Sequence, residues 1–284
     1  MRVLLVPNTA NPAAVSAAVD LATWLAGRGL EPRLASADAA ECGLADLAVA
    51  PSEIGEPVLT VALGGDGTIL KAVHLLGEVE VPLLGVKFGR LGFLSGAAPG
   101  SMREAVETAL TGEARVERRA TLTAEVIMEG RSVGRYRALN EVVVSRGSSA
   151  RVVALDVAVD GHRVLSTRAD GVIVATATGS TAYALSAGGP VVAPDFGGMV
   201  VVPVAPHTLA SRSIVTGSAE TVEITLPDPS RRDACIVVDG DQMPCRRAIE
   251  RVTVARGNRD VLLVKLDGRD FYQTVAEEFF GGAR

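Results

Sequence analysis

Residues 57–76, PVLTVALGGDGTILKAVHLL, pass from an apolar run through a glycine-rich loop into a segment that suits a packed helix. The apolar run, 57–63, is typical of a buried strand. Between strand and helix lies the glycine loop, Gly64-Gly65-Asp66-Gly67-Thr68. Glycines let the backbone approach a ligand closely, and amides at a helix start attract anions. This order of elements therefore predicts a phosphate-binding loop.

Asp66 is the acidic residue of the glycine loop. The loop lacks the Gly-Lys-Ser/Thr of a Walker A sequence and the three spaced glycines of the dinucleotide fingerprint, which excludes the commonest nucleotide motifs. A carboxylate among phosphates is repelled unless it meets a metal ion or a hydroxyl group. Asp66 is therefore a general base or a metal anchor, and the loop alone also allows a simple Asp-Gly turn.

The pattern of apolar residues differs between the first third of the chain and the rest. The first third alternates short β-rich runs with helical ones, as in βαβ units around a parallel sheet. Strands are predicted there at 3–6, 57–63 and 81–86, and helices at 12–25, 69–76 and 99–110. From about Arg119 the pattern alternates with period two, and strands are predicted at 122–128, 141–144, 152–159, 172–175, 200–204, 222–226, 234–238 and 252–255. A mostly antiparallel second domain is expected, followed by a helix at 271–280.

Composition limits the function classes. The chain has 284 residues, a net charge of −5 and a pI near 5.4, which argues against electrostatic binding of nucleic acid. The apolar run at residues 3–6 is too short for a signal peptide or a membrane span. We therefore predict a cytoplasmic protein without nucleic-acid or membrane partners. Cys42, Cys235 and Cys245 show neither metal-ligand nor disulfide spacing and are interpreted as free thiols.

Longer motifs follow the glycine loop, and with them the sequence resembles the NAD kinase family, which phosphorylates the 2′-hydroxyl of the adenosine ribose of NAD to give NADP. In chain order the motifs are GVKFGRLGFL at 85–94, LNEVV at 139–143, DGVIVATATGSTAY at 170–183, LSAGGP at 185–190 and PHTL at 206–209. Together with the glycine loop they extend over most of the chain.

The resemblance implies an NAD kinase-like architecture. An α/β N-terminal nucleotide-binding domain, 1–118, would be completed by the tail 268–284, and an all-β (β-sandwich) C-terminal domain, 119–267, would bind NAD, with the site in the cleft between them. The phosphate donor would be ATP or inorganic polyphosphate, used with Mg²⁺ or another divalent cation. Family members are typically homodimers or homotetramers, so a homo-oligomer is expected.

The resemblance also assigns site residues. Asp66 corresponds to the proton acceptor, Gly67 lies beside the dinucleotide, and Lys71 would lie near phosphate, although spacing alone also fits a solvated helix lysine. The further residues expected to contact nucleotide are Gly64, Gly65, Thr68, Asn140, Glu141, Arg151, Arg168, Asp170, Thr181, Ala182, Tyr183, Ala184, Leu185, Ser186 and Gln242. Arg151 and Arg168 could instead be surface arginines. His207 is interpreted as structural, and no metal ligands are assigned.

The sequence departs from the family pattern at three places. Lys87 stands where many relatives have asparagine, and Ala177 where many have proline. Asp241 occupies the usual glutamine place of an Asp-Gly-Gln turn, so that Gln242 comes one residue later. The lysine changes the charge near the phosphate path and leaves the donor preference open.

Two other functions remain open from the sequence. One is a kinase of the same fold acting on another nucleoside or alcohol, and the other is a dinucleotide sensor without turnover. The Asn140-Glu141 pair and the long 170–190 segment argue against the first, and the intact glycine loop argues against the second.

Overall fold

A computed structural model describes residues 1–89, 92–147, 151–208, 211–227, 234–244, 247–266 and 270–281. The chain divides into two compact units, one of Met1–Arg118 with Val261–Arg284 and the other of Arg119–Asp260. None of the helices in the described part of the chain is long and apolar enough to cross a membrane.

The first unit is an α/β layer structure. Its strands up to the boundary are β1 (Arg2–Pro7), β2 (Glu31–Ala35), β3 (Ala48–Val49), β4 (Leu59–Gly64), β5 (Pro82–Lys87) and β6 (Arg115–Arg119). Its helices are α1 (Pro12–Ala26), α2 (Ser36–Glu41), α3 (Asp66–Leu76) and α4 (Met102–Thr111). Each strand and helix predicted in this region is present, whereas β2, β3, β6 and α2 were not predicted. The helix α4 begins at Met102 rather than Pro99, and α3 begins at Asp66 rather than Ile69, which brings the loop carboxylate into the first turn.

The second unit is built from antiparallel strands. They are β7 (Leu122–Met128), β8 (Arg131–Ala138), β9 (Glu141–Arg146), β10 (Val153–Val159), β11 (His162–Ala169), β12 (Gly171–Ala175), β13 (Met199–Val204), β14 (Ile214–Thr216), β15 (Val222–Thr225), β16 (Ala234–Val238), β17 (Asp241–Gln242) and β18 (Arg251–Arg256). The short helix α5 (Tyr183–Ser186) follows β12. The chain then returns to the first unit with β19 (Val261–Lys265) and α6 (Phe271–Phe279).

The sheet of the first unit has the order β3-β2-β1-β4-β5-β19-β6. From β1 the chain runs through α1 to β2, towards one edge of the sheet. From β4 it runs through α3 to β5, towards the other edge. All the pairs from β3 to β19 in this order are parallel. The neighbours β1 and β4 therefore form a topological switch point, and in open α/β sheets ligands bind outside the carboxyl ends of the strands at such a point.

β19 belongs to the first unit, whereas the sequence placed its residues in the second domain. The predicted boundary assigned 261–267 to the second domain, but β19 pairs in parallel with β5, with Leu262 opposite Pro82 and Leu263 opposite Leu83. Its residues are mostly apolar, and Leu263 and Val264 are buried. A short apolar run of this kind suits either a parallel core strand or a sandwich strand, so its partner cannot be deduced from its composition.

The second unit contains two six-stranded sheets, ordered β11-β10-β15-β18-β7-β8 and β14-β13-β12-β9-β16-β17. In the second of these, Val142, Val144, Val172 and Val174 pack into the core shared with the other sheet. The alternate residues, including Val143 and Ile173, pack on the opposite face with Ala184 of α5. This sheet is covered on both faces, which explains why its strands are runs of apolar residues rather than alternating ones.

Candidate active site

The glycine loop joins β4 to α3. Gly65 is the N-cap residue of α3, with φ −107° and ψ −170°, and no side chain caps the helix. The amides of Thr68 and Ile69 donate to the carbonyl oxygen of Gly65, at 2.9 and 3.3 Å. An uncapped helix start carries a partial positive charge that suits an anionic ligand.

The three loop glycines serve different purposes. A Cβ atom at Gly64 would overlap the Thr68 hydroxyl and come within 2.9 Å of the Cβ of Asn8. A Cβ at Gly65 or Gly67 would meet nothing within 4 Å. Gly64 is therefore required by packing, whereas Gly65 and Gly67 leave the backbone bare towards open space.

A pocket of about 320 Å³ lies beside these two glycines. Its wall consists of the loop after β1, the glycine loop and the first turns of α3, that is Pro7, Asn8, Thr9, Ala10, Gly65, Gly67, Thr68 and Lys71. The pocket thus lies at the carboxyl ends of β1 and β4, at the switch point of the sheet. Sequence reasoning missed Asn8 and Thr9, although their position directly after an apolar strand is the signal that could have identified them.

Asp66 has a cationic partner. Its Oδ1 atom lies 3.5 Å from the Nζ atom of Lys87, and the two side chains are 35% and 16% exposed. Lys87 ends β5 opposite Gly64 in the parallel register. A Cβ at Gly92 would overlap the Lys87 ammonium nitrogen and both carboxylate oxygens of Asp66, so the Gly92 backbone lies directly against the pair.

Lys71 lines the pocket and is itself paired. Its Nζ atom donates to Oδ1 of Asp38 at 2.5 Å. Asp38 is 4% exposed, and its Oδ2 atom has no hydrogen-bond partner among the described residues. Burial of the Cys42 thiol, together with the nearby Asp38 charge, raises the pKa of Cys42. The predicted proximity of Lys71 to the loop is therefore accompanied by a buried carboxylate that the sequence did not reveal.

The side chains of the described residues do not form a magnesium site by themselves. They include no group of three or more His, Cys, Asp and Glu residues that could hold a metal ion. The loop carboxylate that could anchor a metal, Asp66, already has Lys87 beside it. Oxygen ligands for magnesium would have to come largely from elsewhere, such as phosphate groups or water.

In the second unit Asp239 holds the segment that contains the predicted Asn140-Glu141 pair. Its Oδ2 accepts from the Leu139 amide at 2.7 Å, and its Oδ1 accepts from the amides of Asn140 and Glu141 at 2.7 and 3.0 Å. Asp239 has φ 49° and precedes Gly240 with φ 92°, in the turn between β16 and β17. An Asp-Gly pair after a strand predicts such a turn, but its three amide partners cannot be read from the sequence.

The turn after β12 packs against the same segment. The Thr176 hydroxyl donates to the Leu139 carbonyl at 2.6 Å, and the Thr176 amide donates to the Asn140 carbonyl at 2.8 Å. A Cβ at Gly179 would overlap the Asn140 carbonyl oxygen and lie 2.9 Å from its Cα. The structure therefore brings the Asn140-Glu141 pair together with the 176–179 turn, which leads into the predicted contact residues 181–186.

Glu141 is a buried carboxyl group at this place. It is 7% exposed, and its Oε2 atom has no hydrogen-bond partner among the described residues. Burial, and then the nearby Asp239 charge, raise the pKa of Glu141 from 4.5 to about 7. The folded chain thus retains a proton on Glu141 at pH values where the unfolded chain has lost it.

Glu141 is expected to make the stability of the chain fall as pH rises. Because its pKa is raised to about 7 in the folded state, stability is lost progressively between roughly pH 4.5 and pH 7, by about 3 kcal/mol at most. Glu141→Gln, which cannot ionise, should remove this component. Urea unfolding followed by circular dichroism at pH 5 and pH 7.5 measures it. Equal pH dependence in the native chain and the variant would contradict the assignment.

The other predicted residues of the second unit lie elsewhere. Asp170 precedes β12 and pairs with Arg146, whose Nε lies 2.7 Å from its Oδ1. In the register of β9 and β12, Gly171 faces Ser145 and Ala175 faces Glu141. Asp170 is therefore at the opposite end of β12 from the Asn140-Glu141 pair, roughly 16 Å away along the strand.

Arg168 and His207 share a second pocket, of about 380 Å³, on β10 and β11. The His207 amide donates to the Arg168 carbonyl at 2.7 Å. Arg151 and Gln242 are exposed. Thr181 to Ser186 continue from the Gly179 turn into α5, where Ala184 is buried and Tyr183 is 45% exposed. The Arg90-Leu91 part of the GVKFGRLGFL motif, Leu209 and Cys245 lie outside the described residues.

Comparison with known proteins identifies the family and the fold. The family model described as the ATP-NAD kinase N-terminal domain matches residues 48–114, and the ATP-NAD kinase C-terminal domain matches residues 139–266. The NAD kinase of Thiobacillus denitrificans is 37% identical over 266 residues, which cover 93% of this chain and 91% of that protein.

Two solved structures share the fold. Yeast NADH kinase complexed with NADH superposes with a TM-score of 0.91 at 24% identity, covering 100% of this chain and 89% of that one. An NAD kinase from Archaeoglobus fulgidus in complex with ATP has a TM-score of 0.73 at 26% identity, covering 99% and 98%. The α/β and β-sandwich fold class predicted from the sequence is thereby confirmed.

Proposed function

This chain belongs to the NAD kinase family, and on that premise we propose that it transfers the terminal phosphoryl group of ATP to the 2′-hydroxyl of the adenosine ribose of NAD, giving NADP. The proposal rests on the position of Asp66 in the first turn of α3, between Gly65 and Gly67, which line a pocket at the switch point of the sheet. A base and a phosphate-binding loop are thus adjacent, as in-line phosphoryl transfer requires.

Asp66 is the proposed general base. It accepts the proton of the ribose hydroxyl as that oxygen attacks the phosphorus atom, and the bond to the leaving phosphate oxygen breaks. The alternative role of metal anchor is less well supported, since Lys87 already lies 3.5 Å from Oδ1. The bare backbone at Gly65, with Thr68 and Lys71, would bind the donor's phosphates, and Gly67 would lie beside the dinucleotide.

The NAD contacts are assigned to the second unit. The Asn140 amide group and the Glu141 carboxyl group would bind the donors and acceptors of the nucleoside. This assignment is supported by the hydrogen bonds that fix the 139–141 segment, to Asp239 and from Thr176 at the start of the 176–181 turn. The further proposed NAD contacts are Arg151, Arg168, Asp170, Thr181, Ala182, Tyr183, Ala184, Leu185, Ser186 and Gln242.

The proposal includes polyphosphate as an alternative donor and Mg²⁺ as the divalent cation. It also includes assembly as a homodimer or homotetramer. A magnesium ion would neutralise charge on the donor's phosphates, and the chain's own residues bind and orient the reactants. The free thiols of Cys42 and Cys235 suit a reducing compartment, and we propose a cytoplasmic location. Size-exclusion chromatography with light scattering measures the oligomer.

The test is a substrate panel under one set of conditions. NAD, NADH and several nucleosides are each incubated with ATP or polyphosphate, with and without Mg²⁺, and the products are separated by chromatography. NADP formed from NAD and ATP supports the proposal. Phosphate transfer only to another nucleoside indicates a different kinase, and NAD binding without transfer to any acceptor indicates a sensor.

Gly92→Ala is expected to lower kcat by at least about tenfold with little loss of stability. The added methyl group would displace the Lys87 ammonium and the Asp66 carboxylate, both of which are ends of movable side chains. Steady-state kinetics and thermal unfolding measure the two effects. Gly100→Ala is the matched control, because a Cβ there meets nothing within 4 Å. Native turnover in Gly92→Ala would show that the position of the carboxylate is unimportant.

A further inference from the structure

Lys87 is the one cation that the described structure records against the Asp66 carboxylate. Its side chain is 16% exposed, compared with 42% for Lys71. A largely buried ammonium group is costly unless a negative charge accompanies it. Asp66 provides that charge at 3.5 Å. The two side chains therefore depend on each other.

The backbone on both sides of this pair is fixed. Lys87 and Gly64 are opposite each other in the β4–β5 ladder, and the Phe88 amide donates to the Gly64 carbonyl at 3.1 Å. The position of Lys87 is thus tied to the strand that leads into Asp66. A displacement of Lys87 relative to Gly64 would require breaking hydrogen bonds of the parallel β4–β5 ladder.

A third segment confines the pair. The Gly92 backbone lies so close that a side chain there would overlap both charged groups. The residues that follow are held by Lys265, whose Nζ atom donates to the carbonyls of Phe93 and Ser95, each at 3.0 Å. The Gly92 segment therefore closes one side of the ion pair.

We propose that Lys87 is a positioning residue of the phosphoryl-transfer reaction, which holds Asp66 through Oδ1 and leaves the second carboxylate oxygen for the acceptor hydroxyl. This inference rests on the proposed function of Asp66 as the base. Lys87 acts through Asp66 rather than on the donor, because its side chain is mostly buried against that carboxylate. Replacing Lys87 would let the carboxylate rotate away from the attacking oxygen, and small misplacements of a reacting group are costly to the rate.

A double-mutant cycle tests the proposal. Lys87→Met should lower kcat about 10- to 100-fold, with the KM for NAD and the KM for ATP changed less than about threefold. In the Asp66→Asn background the same substitution should have no further effect on kcat, since the carboxylate that it positions is absent. The proposal would be overturned if Lys87→Met lowered kcat by the same factor in both backgrounds. It would also be overturned if Lys87→Met raised the KM for ATP and left kcat at its native value.

Thermal unfolding supplies the second readout. Asp66→Asn alone leaves the buried ammonium without its carboxylate, so its Tm should fall below that of the Asp66→Asn, Lys87→Met double variant. Additive Tm changes would overturn the coupling. Lys87→Asn replaces Lys87→Met if the latter does not fold. The control is the exposed Arg28–Glu107 pair, at 2.9 Å, whose Arg28→Met variant should retain native kcat.

The two readouts separate this inference from the proposed function. If the Tm changes are coupled but the chain does not phosphorylate NAD, the ion pair is supported. The NAD kinase activity is then refuted, and the positioning role with it. Normal NADP formation with additive kcat effects would support the activity and refute the positioning role.

Discussion

Asp66→Asn is expected to lower kcat for NADP formation by about 10²- to 10⁴-fold while leaving the affinity for NAD nearly unchanged. The carboxamide has almost the same shape as the carboxylate but cannot accept the hydroxyl proton. The side chains proposed to bind NAD belong to the second unit and are unchanged by this substitution. Steady-state kinetics gives kcat, and calorimetric titration with NAD gives the affinity.

The Asp66 variant needs a structural control, because the same substitution removes the counter-charge of Lys87. Circular dichroism and thermal unfolding establish whether the variant is folded at the assay temperature. If Asp66→Asn is folded and keeps native turnover, Asp66 is not the base. If it loses NAD binding together with turnover, the Asp66 carboxylate contributes to NAD affinity, contrary to its assignment as a base only.

Gly179→Ala is expected to destabilise the second unit by about 3 kcal/mol and to raise the KM for NAD more than about tenfold. The added Cβ would overlap the carbonyl oxygen of Asn140, which is backbone and cannot move aside without its neighbours. The 139–141 segment, held by Asp239 and Thr176, would have to shift. Hydrogen exchange across β9, together with steady-state kinetics, measures both effects.

Gly197→Ala is the matched control for this prediction. Its added Cβ would lie 3.5 Å from Ser218 and 3.6 Å from Arg256, which are ordinary contact distances. The change in stability should stay within about 0.5 kcal/mol, with native KM. Equal behaviour of the two variants would show that the close approach of Gly179 to Asn140 does not govern the NAD site.

The sequence predicted the parts of the fold that have strong local signals. Asparagine followed by proline is a typical helix start, and Asn11 accepts from the Ala13 amide at 3.0 Å as the N-cap of α1. An Asp-Gly pair favours a hairpin turn, and Asp160-Gly161 forms the turn between β10 and β11. β19 lacked such a signal, because its apolar run does not specify which sheet it joins.

The candidate site was predictable only at its glycine loop. The order of strand, glycines and helix is a local pattern, and it indicates the position of Asp66 from the sequence alone. The partners of the site's charged groups are distant in sequence: Lys87 for Asp66, Asp38 for Lys71 and Asp239 for 139–141. Such contacts depend on strand order and register, which composition and spacing do not determine.

The departure at Lys87 illustrates this difference. In the sequence it was a lysine where many relatives have asparagine, with an effect on donor preference left open. In the structure it is a mostly buried partner of Asp66, which assigns its effect to the base instead of the donor. The double-mutant cycle distinguishes these two interpretations.

The most direct test of the central claim is transfer of labelled γ-phosphate from ATP to NAD, with the position of the phosphate determined by phosphorus NMR of the purified product. The native chain should place label on the 2′-hydroxyl of the adenosine ribose, and Asp66→Asn should lower the rate of this transfer at least about 100-fold. Absence of label from NAD with the native chain, or label at another hydroxyl, would contradict the central claim.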